Sequence, residues 1–362
     1  MCDTFRIRFL DSDSGNRKSK TCTEPRRSIE TRPRRLKWVG IFAIAFTFAF
    51  GGAAAQAQQT GKIFRIGFLD VSTASGSAVL VDAFRQELSK LGWIEGKNFT
   101  IEYQFAEQKP ERLPELAADL VRLKVDLIVV ASTSPALAAK GATATIPIVM
   151  ANAGDPVAAG LVASLARPGG NVTGFSGLST QLNTKRLEIL KDAVTKLARV
   201  GLLWSPTGVG SELQLKELRP AAVALKLKLE EIETKPDAKG LESAFQTAKQ
   251  KQVKAIMTTT NRSFFAERKR IVELATKHRL PAIYFQKEFV DEGGLMSYGA
   301  DIDDLFRKSA HYVDRILKGT KPADLPVQQA MKFEFIISLP AAKKIGFTVP
   351  YELLARANKV IQ

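Results

Sequence analysis

Cysteine and histidine are scarce in this sequence of 362 residues. The two cysteines, Cys2 and Cys22, lie near its start, and the two histidines are His278 and His311. Residues 58–362 therefore cannot contain disulfides, zinc–thiolate sites or thiol catalysis. Each histidine lies in a predicted helix without a second histidine at metal-ligand spacing, which favours an ordinary surface or half-buried residue. Because the sequence also has no P-loop, no G-x-S-x-G elbow and no G-x-G-x-x-G after its first strand, nothing in it predicts a cofactor or an enzyme of these classes.

Long apolar runs are absent as well, except for residues 38–50. A basic cluster at residues 32–37 precedes that run, and Ala55-Gln56-Ala57 follows it. A basic segment, a short apolar core and a small-residue site form, in this order, a secretory signal peptide. We predict that residues 1–57 are a leader, cleaved near Ala57, and that the remaining chain is periplasmic. No cysteine follows the apolar core, so no lipid anchor is expected; the alternative is an uncleaved anchor, although a typical span needs roughly 20 residues.

Acidic residues are the minority among the charges, with 37 Asp and Glu against 53 Lys and Arg and a formal net charge of +16. Such an excess raises nucleic acid as a partner. The lysines, however, are scattered along predicted helices, and no helix-turn-helix precedes the first strand. Because an exported protein also rarely meets nucleic acid, we interpret the charge as a solvated surface.

What the sequence does contain is an alternation of apolar strands and amphipathic helices, which is typical of parallel sheets covered on both faces. The predicted strands are residues 63–69, 98–105, 126–131, 146–150 and 172–175, and, after Gly177, residues 200–204, 228–232, 255–259, 282–285, 295–298 and 328–337. We predict an α/β fold with two doubly wound, Rossmann-like lobes. Their carboxyl edges would face each other across a cleft, which is a preferred place for a small-molecule site.

Polar clusters stand where the predicted strands end. Residues 132–134 (STS) follow the third strand, and residues 152–155 (NAGD) follow the fourth. Hydroxyls and N–H groups at the start of a helix bind carboxylates and other anions well. Helix capping selects the same residue types, so both roles stay open for each residue. Asp70 ends the first strand, and we interpret it as a turn or cap residue rather than as a general base.

Several stretches resemble one family of ABC-transporter substrate-binding proteins. They are residues 154–157 (GDPV), 160–162 (GLV), 165–174 (LARPGGNVTG), 146–149 (IPIV), 278–284 (HRLPAIY), 293–299 (GGLMSYG) and 92–98 (GWIEGKN). The resemblance covers about residues 62 to 349. It implies the type I periplasmic-binding fold, in which two lobes are joined by three crossovers, and a family whose members take different solutes, aromatic amino acids among them.

The resemblance also implies domain boundaries. The expected parts are lobe one at residues 62–173 and 295–325, lobe two at residues 174–294 and 326–349, a C-terminal helix at residues 350–362, and crossovers near Thr173, Leu295 and Val327.

The strand-end rule then gives candidate ligand contacts. They are Ser72, Ser75, Ser132, Thr133 and Asn152 in lobe one and Phe175, Ser205, Asn261 and Tyr298 in lobe two, with Asp155 as an alternative partner for an ammonium group.

The resemblance implies the extracytoplasmic solute-binding component of an ABC importer. We expect a small polar or amino-acid-like solute to be captured between the lobes by hinge closure, after which the closed form docks on a membrane permease. A monomer without cofactor or catalytic residues is expected. Two alternatives stay open: a sensor that presents the closed form to a membrane receptor, and an enzyme on the same scaffold.

Overall fold

The computed structural model describes residues 62–206 and 209–362, so the predicted leader lies outside the described residues. The strands in chain order are β1 (Phe64–Asp70), β2 (Phe99–Phe105), β3 (Leu127–Val130), β4 (Ile148–Ala153), β5 (Val172–Ser176), β6 (Arg199–Trp204), β7 (Lys228–Glu233), β8 (Ala255–Thr258), β9 (Ala282–Tyr284), β10 (Met296–Ala300), β11 (Gln328–Gln329), β12 (Phe333–Ser338) and β13 (Lys359–Ile361). The helices are α1 (Ala74–Lys90), α2 (Leu113–Arg122), α3 (Thr133–Ala142), α4 (Ser179–Ala193), α5 (Val209–Ala224), α6 (Ala238–Gln250), α7 (Arg262–Ala266), α8 (Arg268–Lys277), α9 (Glu288–Asp291), α10 (Ile302–Leu317), α11 (Leu339–Ile345) and α12 (Tyr351–Leu354). None of these helices has the length and apolar character that a membrane span requires.

The first lobe is a six-stranded parallel sheet in the order β11-β5-β4-β3-β1-β2. Successive side chains of a strand point to opposite faces, and both faces of this sheet are covered. Phe68 of β1 packs with Phe84 of α1 and Phe306 of α10 on one face. Leu69, the next residue, packs with Leu120 of α2 on the other. This two-sided burial explains why the strands read as continuous apolar runs.

The second lobe is a seven-stranded sheet in the order β13-β12-β10-β9-β8-β6-β7. It is parallel except for β10 and β12, which pair antiparallel. Leu202 of β6 packs with α4 and α5 on one face, and Leu203 packs with α6 and α8 on the other. The helices thus alternate between the faces of both sheets, and the predicted doubly wound α/β class describes the two lobes.

The chain passes from one sheet to the other later than the sequence-based boundaries place it. The passages lie at residues 177–178, between β5 and α4; at Asp301, between β10 and α10; and at residues 330–332, between β11 and β12. Strand β10 pairs with β9 and β12 in the second sheet, whereas its residues were expected in lobe one. An apolar run is buried equally well in either sheet, so it does not reveal which sheet it joins.

The C-terminal segment also differs from the expected final helix. Helix α12 is a single turn, and strand β13 follows it and pairs in parallel with β12. Asn358 fixes this turn, because its side chain accepts a hydrogen bond from the Phe335 amide and its own amide donates to the Phe335 carbonyl. The last residues therefore extend the second sheet.

Candidate functional site

A cavity lies between the lobes, at the carboxyl ends of strands from both sheets. It comprises about 880 Å³, including the solvent at its open side. Lobe one contributes Val71, Pro110, Ser132, Thr133, Ser134, Asn152, Gly154 and Asp155. Lobe two contributes Ser179, Thr180, Gly210, Ser211, Leu213, Gln214, Thr260, Asn261, Arg262, Ser263, Phe285 and Gln286.

Three helices of at least ten residues begin at this cavity, namely α3, α4 and α5. Their first-turn N–H groups carry partial positive charge. Ser132 occupies the N-cap position of α3, but its side chain makes no capping hydrogen bond. Thr133 Oγ1 accepts from the Gly154 amide at 3.0 Å and so ties the start of α3 to the loop after β4. The lobe-one wall is thus fixed, while the Ser132 hydroxyl is not used as a cap.

A buried arginine stands directly behind the lobe-two wall. Arg186 of α4 is 1 % exposed, and its Nη1 donates to the Tyr298 carbonyl at 2.9 Å. Its Nη2 donates to Asn183 Oδ1 and, at 2.9 Å, to Thr260 Oγ1. Thr260 itself lines the cavity. Gln214 completes the network, since its Oε1 accepts from the Thr260 amide at 2.7 Å and from Asn183 Nδ2 at 2.5 Å.

No carboxylate in the described part of the chain forms an ion pair with Arg186, whose hydrogen bonds all go to neutral oxygens. Burial lowers the pKa of Arg186 to about 9, so the guanidinium still carries its charge at neutral pH. A buried charge without a counter-ion is costly. Its position behind Thr260 makes the lobe-two side of the cavity electropositive.

A second arginine crosses the cleft. Arg262, the first residue of α7, donates from Nη2 to Asp70 Oδ2 at 2.9 Å and to Ser77 Oγ at 3.2 Å. Asp70 ends β1 of lobe one, and its Oδ1 accepts from the Ser72 amide at 3.2 Å. Asp70 Oδ1 therefore has the predicted turn role. Asp70 Oδ2 has a different role, because it bonds to Arg262 of the other lobe.

Asn152 reaches the cavity from an irregular part of β4. The register of β4 and β5 shifts between Met150 and Ala153, and a bulge of this kind redirects a side chain. Asn152 Oδ1 is buried and has no hydrogen-bond partner among the described residues. It lies against Gly177, where an added Cβ would stand 1.9 Å from that oxygen. Gly177 thus leaves the space that the Asn152 amide occupies.

We expect Gly177→Ala to weaken solute binding about threefold to tenfold, because the new methyl group displaces the end of a flexible side chain rather than backbone. The melting temperature should change little. Isothermal titration calorimetry measures the first effect and thermal unfolding the second. Gly141→Ala is the matched control, since a Cβ there meets nothing within 4 Å. An unchanged affinity of Gly177→Ala would remove Asn152 from the set of contacts.

The comparison with known families agrees with this architecture. The model of the family described as "ABC transporter substrate binding protein" matches residues 71–361. The chain belongs to this family. Members of this family are solute-binding proteins rather than enzymes. The structural neighbours of this substrate-binding protein have type I periplasmic-binding and LacI-like folds. The predicted resemblance and fold class are therefore confirmed, as is the role of an extracytoplasmic protein that binds a small-molecule solute and works with an ABC permease.

Three relatives show which proteins this substrate-binding protein is similar to. A tyrosine-binding protein of Clostridioides difficile is 29 % identical over 72 % of this chain and 75 % of its own length. A Streptococcus pneumonia domain, solved in complex with L-Trp, is 26 % identical with a TM-score of 0.76, over 83 % of this chain and 100 % of its own. The ligand-free, open structure of a Clostridium difficile substrate-binding protein with adhesive properties is also 26 % identical, over 83 % of this chain and 99 % of its own. Its TM-score is lower, at 0.60.

Half of the predicted contact residues border the cavity of this substrate-binding protein: Ser132, Thr133, Asn152, Asp155 and Asn261. Two of these also make local caps. Asn261 Oδ1 accepts from the Ser263 amide at 2.7 Å, and Asp155 Oδ1 accepts from the Val157 and Ala158 amides. Their ligand contacts stay a prediction.

The other predicted residues do not line the cavity. Ser72 and Ser205 are buried, whereas Ser75 is exposed and its Oγ lies 3.2 Å from Thr73 Oγ1. Phe175 is a core residue whose ring centroid is 4.7 Å from that of Tyr312. The Tyr298 ring lies 6.4 Å from that of Phe333, and only its carbonyl approaches the site, through Arg186. Every residue of β5 is buried, so alternation could not show that Phe175 faces a helix.

Sequence reasoning missed Arg186, Gln214, Arg262 and Gln286. The signal for Arg186 is its helical spacing, since Leu182, Leu190 and Ala193 are buried on the same helix and Arg186 falls between them. A charged residue at a position of the apolar face is a candidate for function. Arg262 and Gln286 follow strand ends. Because their side chains are long, the sequence does not indicate which groups they contact.

Proposed function

We propose that this substrate-binding protein captures a free amino acid as a zwitterion. The solute carboxylate would point to the lobe-two wall and its ammonium group to lobe one. The observation that carries this proposal is the buried cation of Arg186, which has no carboxylate partner in the described structure and stands behind Thr260 at the cavity. A bound carboxylate would supply the negative counter-charge that no described residue provides for Arg186.

The lobe-two wall offers further support for a carboxylate. Helices α4 and α5 begin there, and N–H groups at a helix start bind anions. Three hydroxyl-bearing residues, Ser179, Thr180 and Ser211, line the same wall. Gln214 has both ends of its amide engaged by protein groups, so it shapes the wall rather than changing position with the solute.

The lobe-one wall carries the complementary chemistry. Asp155 borders the cavity, as does Asn152, whose side-chain oxygen Oδ1 is buried and accepts no hydrogen bond from the described residues. A carboxylate and an amide oxygen are acceptors suited to an ammonium group. Ser132, Thr133 and Asn261 are the remaining proposed contacts.

The apolar part of the solute would contact Phe285, Leu213 and Val71, which line the cavity beside these polar groups. Phe285 is 4 % exposed and lies in a cluster of aromatic rings. Because one relative is named for tyrosine and another was solved with L-Trp, L-tyrosine and L-tryptophan are the first solutes to test.

We further propose that the leader is cleaved near Ala57 and that the exported form has no lipid anchor. This form would be a monomer that serves transport rather than sensing and has no catalytic activity.

The test is a titration of L-tyrosine and L-tryptophan into the wild-type protein and Asp155→Asn. Asparagine caps about as well as aspartate, so the loop should stay folded while the charge is lost. We expect the affinity for the free amino acid to fall about tenfold, as for the loss of a charge-assisted hydrogen bond worth about 1.5 kcal/mol. N-acetyl-L-tyrosine, which has no ammonium group, should bind both proteins equally weakly.

Asp237→Asn is the matched control, because Asp237 caps α6 by accepting from the Gly240 amide and does not line the cavity. Its affinity should equal that of the wild type. If neither L-tyrosine nor L-tryptophan binds the wild type, aromatic amino acids are rejected as the solute. Equal binding by Asp155→Asn would reject the role of Asp155.

A further inference from the structure

We propose that Asp70, which does not line the cavity, is a positioning residue for solute binding: it closes the two lobes through Arg262 and fixes the Arg262 guanidinium in the cavity wall. The effect on solute affinity rests on the function proposed above, whereas the effect on lobe closure does not.

The contact is a buried ion pair between lobes. Arg262 Nη2 lies 2.9 Å from Asp70 Oδ2, and the side chains are 12 % and 0 % exposed, respectively. Asp70 ends β1 of the first sheet, whereas Arg262 follows β8 of the second. This pair therefore exists only while the lobes lie together, and opening the cleft separates its two charges.

Lobe one holds the carboxylate ready for this contact. Ser77 Oγ donates to Asp70 Oδ2 at 2.5 Å, and the Ser72 amide donates to Oδ1 at 3.2 Å. A carboxylate that already accepts two hydrogen bonds loses little side-chain freedom when the arginine arrives. Lobe one thus presents a rigid anionic target to lobe two.

On the other side, Arg262 is both a cavity residue and the partner in this pair. Its guanidinium carbon lies 5.3 Å from the centre of the Phe265 ring, and its Nε has no hydrogen-bond partner among the described residues. Asp70 and Phe265 together fix the plane of the guanidinium at the cavity edge. Removing Asp70 would free this long side chain to leave the wall.

The lobe arrangement agrees with a closed form. At the same 26 % identity, the chain superposes better on the structure solved with L-Trp than on the ligand-free, open structure, with TM-scores of 0.76 and 0.60. In this arrangement the Asp70–Arg262 pair joins the two lobes directly.

The experiment compares wild type, Asp70→Asn, Arg262→Gln and the double variant. Small-angle X-ray scattering of the ligand-free proteins should give a larger radius of gyration for each variant than for the wild type. In titrations with L-tyrosine and L-tryptophan, Asp70→Asn should lose about 10- to 100-fold in affinity, mainly through faster dissociation in stopped-flow measurements. Because both substitutions break one contact, the double variant should bind no more weakly than the weaker single variant.

Ser77→Ala is a milder variant that keeps both charges but removes the hydroxyl that donates to Asp70 and accepts from Arg262, and its affinity should fall about threefold. If Asp70→Asn does not fold, Arg262→Gln and Ser77→Ala decide the question. Identical scattering of the folded variants and the wild type would overturn the closing role, and additive losses in the double variant would overturn the coupling. If neither amino acid binds the wild type, the proposed solute is rejected, while the scattering comparison still decides whether the pair closes the lobes.

Discussion

Arg186→Met should weaken the binding of a free amino acid by about 50-fold while changing the free energy of unfolding by less than about 2 kcal/mol. The binding loss follows from Coulomb's law, since two opposite unit charges separated by one intervening residue attract each other by roughly 2 kcal/mol at an effective dielectric constant near 20. Thr260 would separate the two charges, because its Oγ1 accepts from Arg186 and the residue lines the cavity.

The small change in stability follows from two opposing terms. Burial lowers the pKa of Arg186 to about 9, and a shift of this direction and size corresponds to a penalty of several kcal/mol on the charged form. Methionine removes this penalty and fills much of the same volume. It also leaves Asn183 Oδ1, Thr260 Oγ1 and the Tyr298 carbonyl without this donor, at about 1–3 kcal/mol each. The terms nearly cancel, which is the expectation when a buried charge serves binding rather than folding.

Calorimetric titration and urea unfolding of the same samples test this pair of expectations. Arg186→Lys is the control that retains the charge, and its affinity should lie between those of wild type and Arg186→Met. L-tyrosinamide, which has no carboxylate, should bind wild type and Arg186→Met with nearly equal affinity. If the affinity for L-tyrosinamide falls as much as that for L-tyrosine, Arg186 acts through the shape of the wall and the charge argument fails.

The candidate site could be predicted where short side chains follow strand ends. Ser132, Thr133 and Asn152 fall on the cavity because the carboxyl ends of parallel strands converge there. Arg186 and Arg262 could not be placed in the same way, since each reaches its partner over a long side chain from a helix. Arg186 and Thr260 are 74 positions apart in sequence, and Arg262 and Asp70 are 192 positions apart, so only the folding of the chain brings each pair together.

The fold was predictable in class but not in the assignment of strands to sheets. Apolar runs and helical spacing fix the order of elements, because burial on both faces demands them. The apolar sequence of β10 is equally compatible with pairing to β9 and with pairing to a strand of the first sheet. The two-residue strand β11 and the six-residue strand β12 were predicted as one strand, although a crossover at residues 330–332 sends them to different sheets.

Gly174→Ala should have the largest effect on folding, with a loss of about 4 kcal/mol in the free energy of unfolding. Gly174 of β5 has φ +129°, a backbone conformation that favours glycine. An added Cβ would lie 2.2 Å from the Met150 carbonyl oxygen and 2.6 Å from the Met150 amide nitrogen of β4. Backbone atoms in a sheet cannot yield as a side-chain end does, so strain and overpacking of about 1–3 kcal/mol each add together.

The position of Gly174 links this instability to the cavity. Gly174 pairs with Met150 immediately before the register of β4 and β5 shifts, and the shift places Asn152 at the site. Urea and thermal unfolding followed by circular dichroism should show the loss, with a decrease of about 10 °C in melting temperature. Gly170→Ala is the matched control, because a Cβ there meets nothing within 4 Å, and its stability should stay within about 0.5 kcal/mol of wild type. Should Gly174→Ala unfold like this control, the close approach of β5 to Met150 would not be a requirement of the fold, and the Asn152 bulge would need another cause.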